Sequence, residues 1–307
     1  MARKAKFYIK RTFLDLPVAL LAGILIGLLH IPPFQVASRW MGKLARFVGP
    51  LLPTHRVAEF NIRRALPHLT SARHQEILAA SWESLGRTIA EYMRLSRIPL
   101  QGPDSPIEVQ GYDVVDALIH DGKPAVLVTA HLANWELATF VALRGGLKIT
   151  QLYRKLNNPL VDRMIQVVHR RVTHEVITKG PDGAKRMLQV LRQGGHVAML
   201  NDQKLREGDL IPFFGYPAKT ASAGARLAIK YDCPFVPVRV ERLDGTPRFR
   251  VTYYPPLQPR IEGDLNAQTQ DLLIQMNALF EEWIRARPED WFWQHRRWHK
   301  DEYRALK

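Results

Sequence analysis

The chain has 307 residues, 46% hydrophobic and 24% charged, a balance that excludes intrinsic disorder and collagen-like or low-complexity architectures. Its length suits one main domain with an appendage. Lys and Arg number 44 against 29 Asp and Glu, and the net charge of +15 points to an anionic partner: nucleic acid, an anionic membrane or an acidic protein. The single cysteine, Cys233, excludes an intramolecular disulfide and any multi-thiolate metal site.

The N-terminus carries Arg3, Lys4, Lys6, Lys10 and Arg11 ahead of an apolar run over residues 16–29. A secretory signal has this order of parts, but His30-Ile-Pro-Pro-Phe34 follows where a small-x-small cleavage site belongs. A full membrane span needs about 20 apolar residues, and this run is shorter. A tilted or shallow anchor over 1–35, basic flank toward the cytoplasm, fits better than a span or a buried core helix. Trp40, Lys43 and Arg46 continue an amphipathic pattern suited to a membrane surface.

The remainder, 36–307, reads as one domain with a helical part, 36–98, and an α/β part, 107–307. Helical periodicity runs through 57–66 and 77–95, broken at Pro67 and Thr70-Ser71. A proline-rich linker covers 99–106. Then strands at 107–109, 125–130, 148–153, 175–177 and 196–200 alternate with helices at 114–120, 135–143, 160–172 and 183–193. After a polar loop come a helix at 222–231, strands at 235–241 and 249–253, and a closing helix at 269–286. This alternation predicts a three-layer α/β domain with a mostly parallel sheet. In such sheets, loops at the carboxyl ends of the strands build the site.

Three segments carry candidate chemistry. His131-Leu-Ala-Asn-Trp-Glu136 follows the strand ending at Ala130. Histidine is the usual general base near neutrality, and a carboxylate on its second nitrogen fixes the tautomer. On a regular helix, residues five apart are separated by about 140°. The pair therefore requires His131 on the strand–helix turn and Glu136 in the first helical turn; the competing reading is a capping histidine beside a solvated glutamate. Asn201-Asp202-Gln203 ends another strand at the same sheet edge, where an Asp is commonly a turn residue. His169-Arg170-Arg171 ends a helix, where cations are favourable without any functional reason. No P-loop, G-x-G-x-x-G, H-E-x-x-H or G-x-S-x-G pattern occurs. Cys233 precedes a strand, at the opposite sheet edge, and reads as a structural thiol.

Together these segments resemble the late acyltransferases of lipid A biosynthesis, within the wider lysophospholipid acyltransferase superfamily and its H-x4-D/E dyad. Asn61-Ile-Arg-Arg-Ala-Leu-Pro67 looks like the family's N-x3-A-x-P segment, and Tyr153-Arg154 with Asn157-Asn158-Pro159 like its Y-R-x2-N-N stretch. Asn201-Asp202-Gln203 matches the D-Q site, Pro212-Phe-Phe-Gly215 the segment beyond it and Thr220-Ala-Ser-Ala-Gly224 a small-residue helix start. Pro288-Glu-Asp-Trp-Phe-Trp-Gln-His-Arg-Arg297 resembles the family's P-E-Q-Y-x-W-x-H-R-R ending. The likeness spans roughly residues 10–300. The E-G-T-R phosphate signature of the glycerolipid branch is absent, which favours the lipid A branch.

The resemblance implies transfer of a fatty acyl chain from acyl carrier protein to a hydroxyl of a lipid A precursor, with no acyl-enzyme, metal or cofactor. His131 would take the hydroxyl proton and Glu136 would orient it. The family's functional arginine falls in the 169–171 stretch; Arg171 is favoured, with Arg170 and Arg154 as the other candidates for the oxyanion or substrate phosphate. Asp202, Gln203 and Asn134 would shape the site, Asp202 by holding an arginine or a substrate hydroxyl. It also implies the inner membrane, with the catalytic domain facing the cytoplasm and Trp291, Trp293 and Trp298 resting at the interface. Rival readings are another glycolipid or aminolipid acceptor, a basic nucleic-acid-binding protein without catalysis, or a scaffold; no nucleic-acid motif supports the binding protein.

Overall fold

The computed structural model describes residues 2–100, 102, 105–153, 155–178, 180–243 and 245–306. Four helices come first: α1 (Ala2–Leu29), α2 (Phe34–Val48), α3 (Thr54–Ala65) and α4 (Ser71–Tyr92). The alternating part follows as β1 (Ile107–Gln110), α5 (Tyr112–His120), β2 (Ala125–Thr129), α6 (Leu137–Arg144), β3 (Ile149–Tyr153), α7 (Pro159–Val172), β4 (Glu175–Thr178), α8 (Pro181–Arg192) and β5 (His196–Leu200). A hairpin of β6 (Asp209–Phe213) and β7 (Tyr216–Thr220) precedes α9 (Ala223–Lys230), β8 (Phe235–Leu243), β9 (Arg248–Tyr253) and α10 (Leu265–Ala286).

The main sheet has the order β1-β9-β8-β2-β5-β3-β4, parallel except for the β8–β9 pair. All five side chains of β2 are buried, as a central strand covered on both faces requires. Val126 and Val128 enter one core with Val197, Met199 and residues of α8, α9 and α10; Ala125 and Leu127 enter another with Ala198 and residues of α5 and α6. Alternate residues thus feed opposite faces, and the three layers expected from the sequence are present.

The hairpin was not legible in the sequence, where 201–221 reads as polar loop. Pro212 and Pro217 face each other across it, and proline discourages a strand assignment. Its turn is Phe214-Gly215, both at positive φ (51° and 76°), the signature of a type I′ connection.

α2 lies on α4 at close range. A Cβ on Gly86 would stand 2.3 Å from the Met41 carbonyl oxygen, so only glycine admits this approach. At the same interface Ser38 donates to Glu91 (2.6 Å), and Arg242 from β8 forms a buried ion pair with Glu91 (Nη2–Oε2 2.9 Å).

α1 is a continuous helix that packs along α7. Asn158 Nδ2 donates to the Asp15 carbonyl (2.8 Å), and Arg94 donates to the Pro32 carbonyl (2.6 Å) where α1 ends. Leu16, Leu20, Leu21, Ile24 and Leu28 are exposed on it, as are Trp40, Leu44 and Phe47 on α2. Among the described residues no helix is long and apolar enough to cross a membrane.

The tryptophan-rich ending departs from expectation. Trp291, Trp293 and Trp298 are no more than 1% exposed and belong to the main core, so they do not rest at a membrane interface. Asn61 holds the segment, donating to the carbonyls of Trp293 (2.8 Å) and His295 (2.7 Å). Arg297 is fully buried and donates to the Lys219 carbonyl and to Thr220 Oγ1.

Candidate active site

Sheet register brings the first two segments together. β2 and β5 are parallel neighbours with Thr129 opposite Leu200. Two residues beyond each strand end stand His131 and Asp202. Asp202 Oδ1 lies 2.6 Å from His131 Nδ1, and its Oδ2 accepts from the His131 backbone N–H (2.9 Å) and from the Trp291 indole (2.7 Å). The carboxylate that fixes His131 is therefore Asp202, where sequence reasoning placed Glu136. Among the described residues the hydrogen-bond donors to Asp202 are His131 and Trp291, so no arginine takes the first of the two roles the resemblance suggested for it. Burial pushes the Asp202 carboxyl up, but the His131 charge and hydrogen bonds, with His295 nearby, outweigh it and hold the group well below the usual carboxylate range.

With its Nδ1 proton directed at Asp202, His131 presents a lone pair on Nε2, which accepts from the Gln203 amide (3.1 Å). The turn itself is clamped by the C-terminal segment. Ala133, at φ 45°, donates to the Asp290 carbonyl (2.9 Å), and Phe292 donates to the His131 carbonyl (3.0 Å). Thr88 of α4 reaches the Ala133 carbonyl (2.8 Å). The imidazole sits against the Trp135 and Phe292 rings, at centroid distances of 5.0 and 6.0 Å.

Glu136 stands at the N-cap of α6, 8% exposed. Its oxygens accept from Trp135 Nε1 (3.1 Å) and Gln151 Nε2 (3.1 Å), and His169 Nε2 lies 3.7 Å away. It touches the same indole that walls His131, but the two are not hydrogen-bonded to each other.

His131 and Glu136 open onto one cavity of about 880 Å³. Its wall includes Gln203, Met187, Met199, His169, Lys155 and Lys204. Of the 169–171 run, the structure brings His169 to this wall and leaves Arg170 and Arg171 exposed on the outer side of α7; Arg170 borders an adjoining cavity of about 460 Å³. Arg154 lies outside the described residues. Asn134 is fully buried behind the turn and does not line the cavity. Among the described residues no cluster of His, Cys, Asp and Glu is arranged to hold a metal. Cys233 is buried before β8, at the amino ends of the strands, and burial with Asp232 nearby pushes its thiol up to about 11.

Residues 3–300 match the family model described as bacterial lipid A biosynthesis acyltransferase. The chain belongs to that family. This lipid A acyltransferase family member is 22% identical to the lipid A biosynthesis myristoyltransferase of Escherichia coli, over 91% of this chain and 84% of that one. It is 25% identical to the E. coli lipid A biosynthesis lauroyltransferase (86% and 81% covered). It is 28% identical to the phosphatidylinositol mannoside acyltransferase of Mycobacterium tuberculosis (78% and 76%). The protein is an acyltransferase.

Trp291, Gln151 and Trp135 were missed as site residues, and in the His169-Arg170-Arg171 segment the arginines were favoured over His169. The proximity of the Asn201-Asp202-Gln203 segment to His131 had a sequence signal, since both follow apolar strands, but the pairing itself depends on which strands are neighbours.

Proposed function

We propose that this acyltransferase moves a fatty acyl chain from acyl carrier protein to a hydroxyl of a lipid A precursor, with His131 as general base. The observation that carries the reading is the His131–Asp202 pair opening onto the large cavity. His131 Nε2 takes the hydroxyl proton, displacing the Gln203 amide. The oxygen attacks the thioester carbonyl, the carbon–sulfur bond breaks, and the leaving thiolate takes up the proton. Asp202 holds the tautomer and stabilises the imidazolium. Glu136 fixes Trp135, the wall against which the imidazole packs. Among the described residues Lys155 and Lys204 are the lysines on the cavity wall, and we assign charge compensation of the oxyanion or a substrate phosphate to them.

The family match supports a lipid A-type acceptor. The exposed apolar side chains of α1 and α2, beside a net charge of +15, support a seat on the cytoplasmic face of an anionic inner membrane. The similarity to a mannoside acyltransferase favours one second reading, a different glycolipid acceptor. Mass spectrometry of membrane lipids from cells with and without the active protein separates the two, because only the true acceptor gains a chain. His131→Ala is expected to lower turnover about 10²–10⁴-fold while leaving the fold intact. Near-wild-type transfer by that variant would remove the general base from the mechanism.

A further inference from the structure

His169 is 4% exposed and lines the cavity, yet no hydrogen bond reaches its Nε2. Its other nitrogen, Nδ1, is paired with the Tyr92 hydroxyl. Burial, with Glu136 and Tyr153 adding, raises the Tyr92 phenol well above its ordinary value, so it stays protonated and donates to Nδ1. The network therefore assigns the hydrogen to Nε2. Nε2 stands 3.7 Å from Glu136 Oε2, too long for a direct bond. Gln151 holds the same carboxylate oxygen, and the Tyr92 and Tyr153 rings meet the imidazole edge-on at 5.5 and 4.9 Å. Tyr153 is in turn anchored on Asp162 (2.8 Å). The wall thus holds a donor and an acceptor 3.7 Å apart, a separation at which one oxygen can lie within hydrogen-bond distance of both.

We propose that His169 Nε2 and Glu136 Oε2 form a two-point clamp for a substrate hydroxyl, separate from the hydroxyl that His131 deprotonates. The clamped oxygen accepts from His169 and donates to Glu136, a pairing that a hydroxyl satisfies and an ether or ester oxygen does not. The hydroxyl belongs either to the acyl acceptor or to the acyl donor. The proposal deepens the acyl-transfer reading and rests on it.

Steady-state kinetics of the full chain in detergent, with an acyl-loaded carrier protein and a lipid A precursor, test it. His169→Phe should raise KM for one substrate about tenfold or more, because a buried carboxylate oxygen then faces the hydroxyl without its companion donor. Its kcat and the acid limb of its pH profile should stay near wild type. KM rising for the precursor places the hydroxyl on the acceptor; KM rising for the carrier-bound chain places it on the donor. His169→Gln, whose amide reaches the Nε2 position, should restore KM, and His169→Asn, which stops short, should not; this pair decides the matter if the Phe variant does not fold. Unchanged KM for both substrates in a folded His169→Phe protein overturns the clamp. So does a collapse of kcat with loss of the acid limb, which would make His169 a proton acceptor. Activity retained by His131→Ala would instead sink the general-base reading and leave the KM comparison standing.

Discussion

Asp202 shows how much one buried carboxylate organises. It is fully buried and satisfied by an imidazole, a backbone N–H and an indole. Asp202→Asn keeps the volume but removes the acceptor charge that selects the His131 tautomer. We expect kcat to fall about 10²–10⁴-fold with KM little changed, measured by initial rates on saturating acceptor. His295 sits beside the same pair, stacked on Phe292 at 6.2 Å. Burial lowers it to about 3, with His131 and Arg297 adding and Asp202 opposing. Its folded pKa lies below the unfolded value of about 6.5, so the unfolded chain binds the extra proton between them. The stability this group contributes is complete above about pH 6.5 and is lost as pH falls toward 3. Thermal melts should therefore drop across that window, and His295→Phe should flatten the upper part, roughly pH 5 to 6.5, where carboxylates still contribute little.

Elements that are distant in sequence meet through few polar contacts. α2, α4 and β8 converge on the Ser38–Glu91–Arg242 cluster, and Asp290 joins from the C-terminal segment through Ser84 (3.1 Å). Burial works against the Arg242 charge, and Glu91 more than restores it. Arg242→Met leaves Glu91 as an uncompensated buried charge, which costs about 3–5 kcal/mol. Chemical denaturation should show that loss, and Arg242→Met with Glu91→Leu should recover part of it. Because Asp290 also positions Ala133 through its carbonyl, the single variant should lower kcat as well. A single variant as stable as wild type would mean the charge reaches water. The packing of α1 on α7 has a related consequence: α1 covers the helix that carries His169, so its removal should disturb the cavity wall as well as the membrane seat proposed above.

For the whole molecule the +15 charge is the property most open to test. Carrier proteins are acidic, and steering between opposite charges raises association at low salt, fading as the Debye length falls from about 10 Å at 0.1 M to about 3 Å at 1 M. With acceptor saturating in detergent, kcat/KM for a carrier-bound chain should fall with salt more steeply than for the same chain on coenzyme A. Equal slopes would leave the charge to the membrane and remove the carrier protein as partner.

Local pattern determined the alternating helices and strands, the three layers and the strand-end positions of His131 and Asp202, because periodicity and apolar runs are properties of short windows. It placed every main-sheet strand within a few residues and located the opposite edge for Cys233. It failed where the outcome depends on neighbours across space. Which carboxylate meets His131 is set by β2 lying beside β5, and five residues of spacing to Glu136 carry no such information. Arginines outrank histidine as anion binders by residue type, yet the turn of α7 aims His169 inward and its two neighbours out. Tryptophans interleaved with arginines suit a membrane surface in sequence. Only the tertiary fold supplied what buries them: Asn61 donates to the Trp293 carbonyl, Asp202 accepts from the Trp291 indole, the hairpin carbonyl of Phe213 accepts from the Trp298 indole, and that of Lys219 accepts from Arg297 Nη1 inside the core.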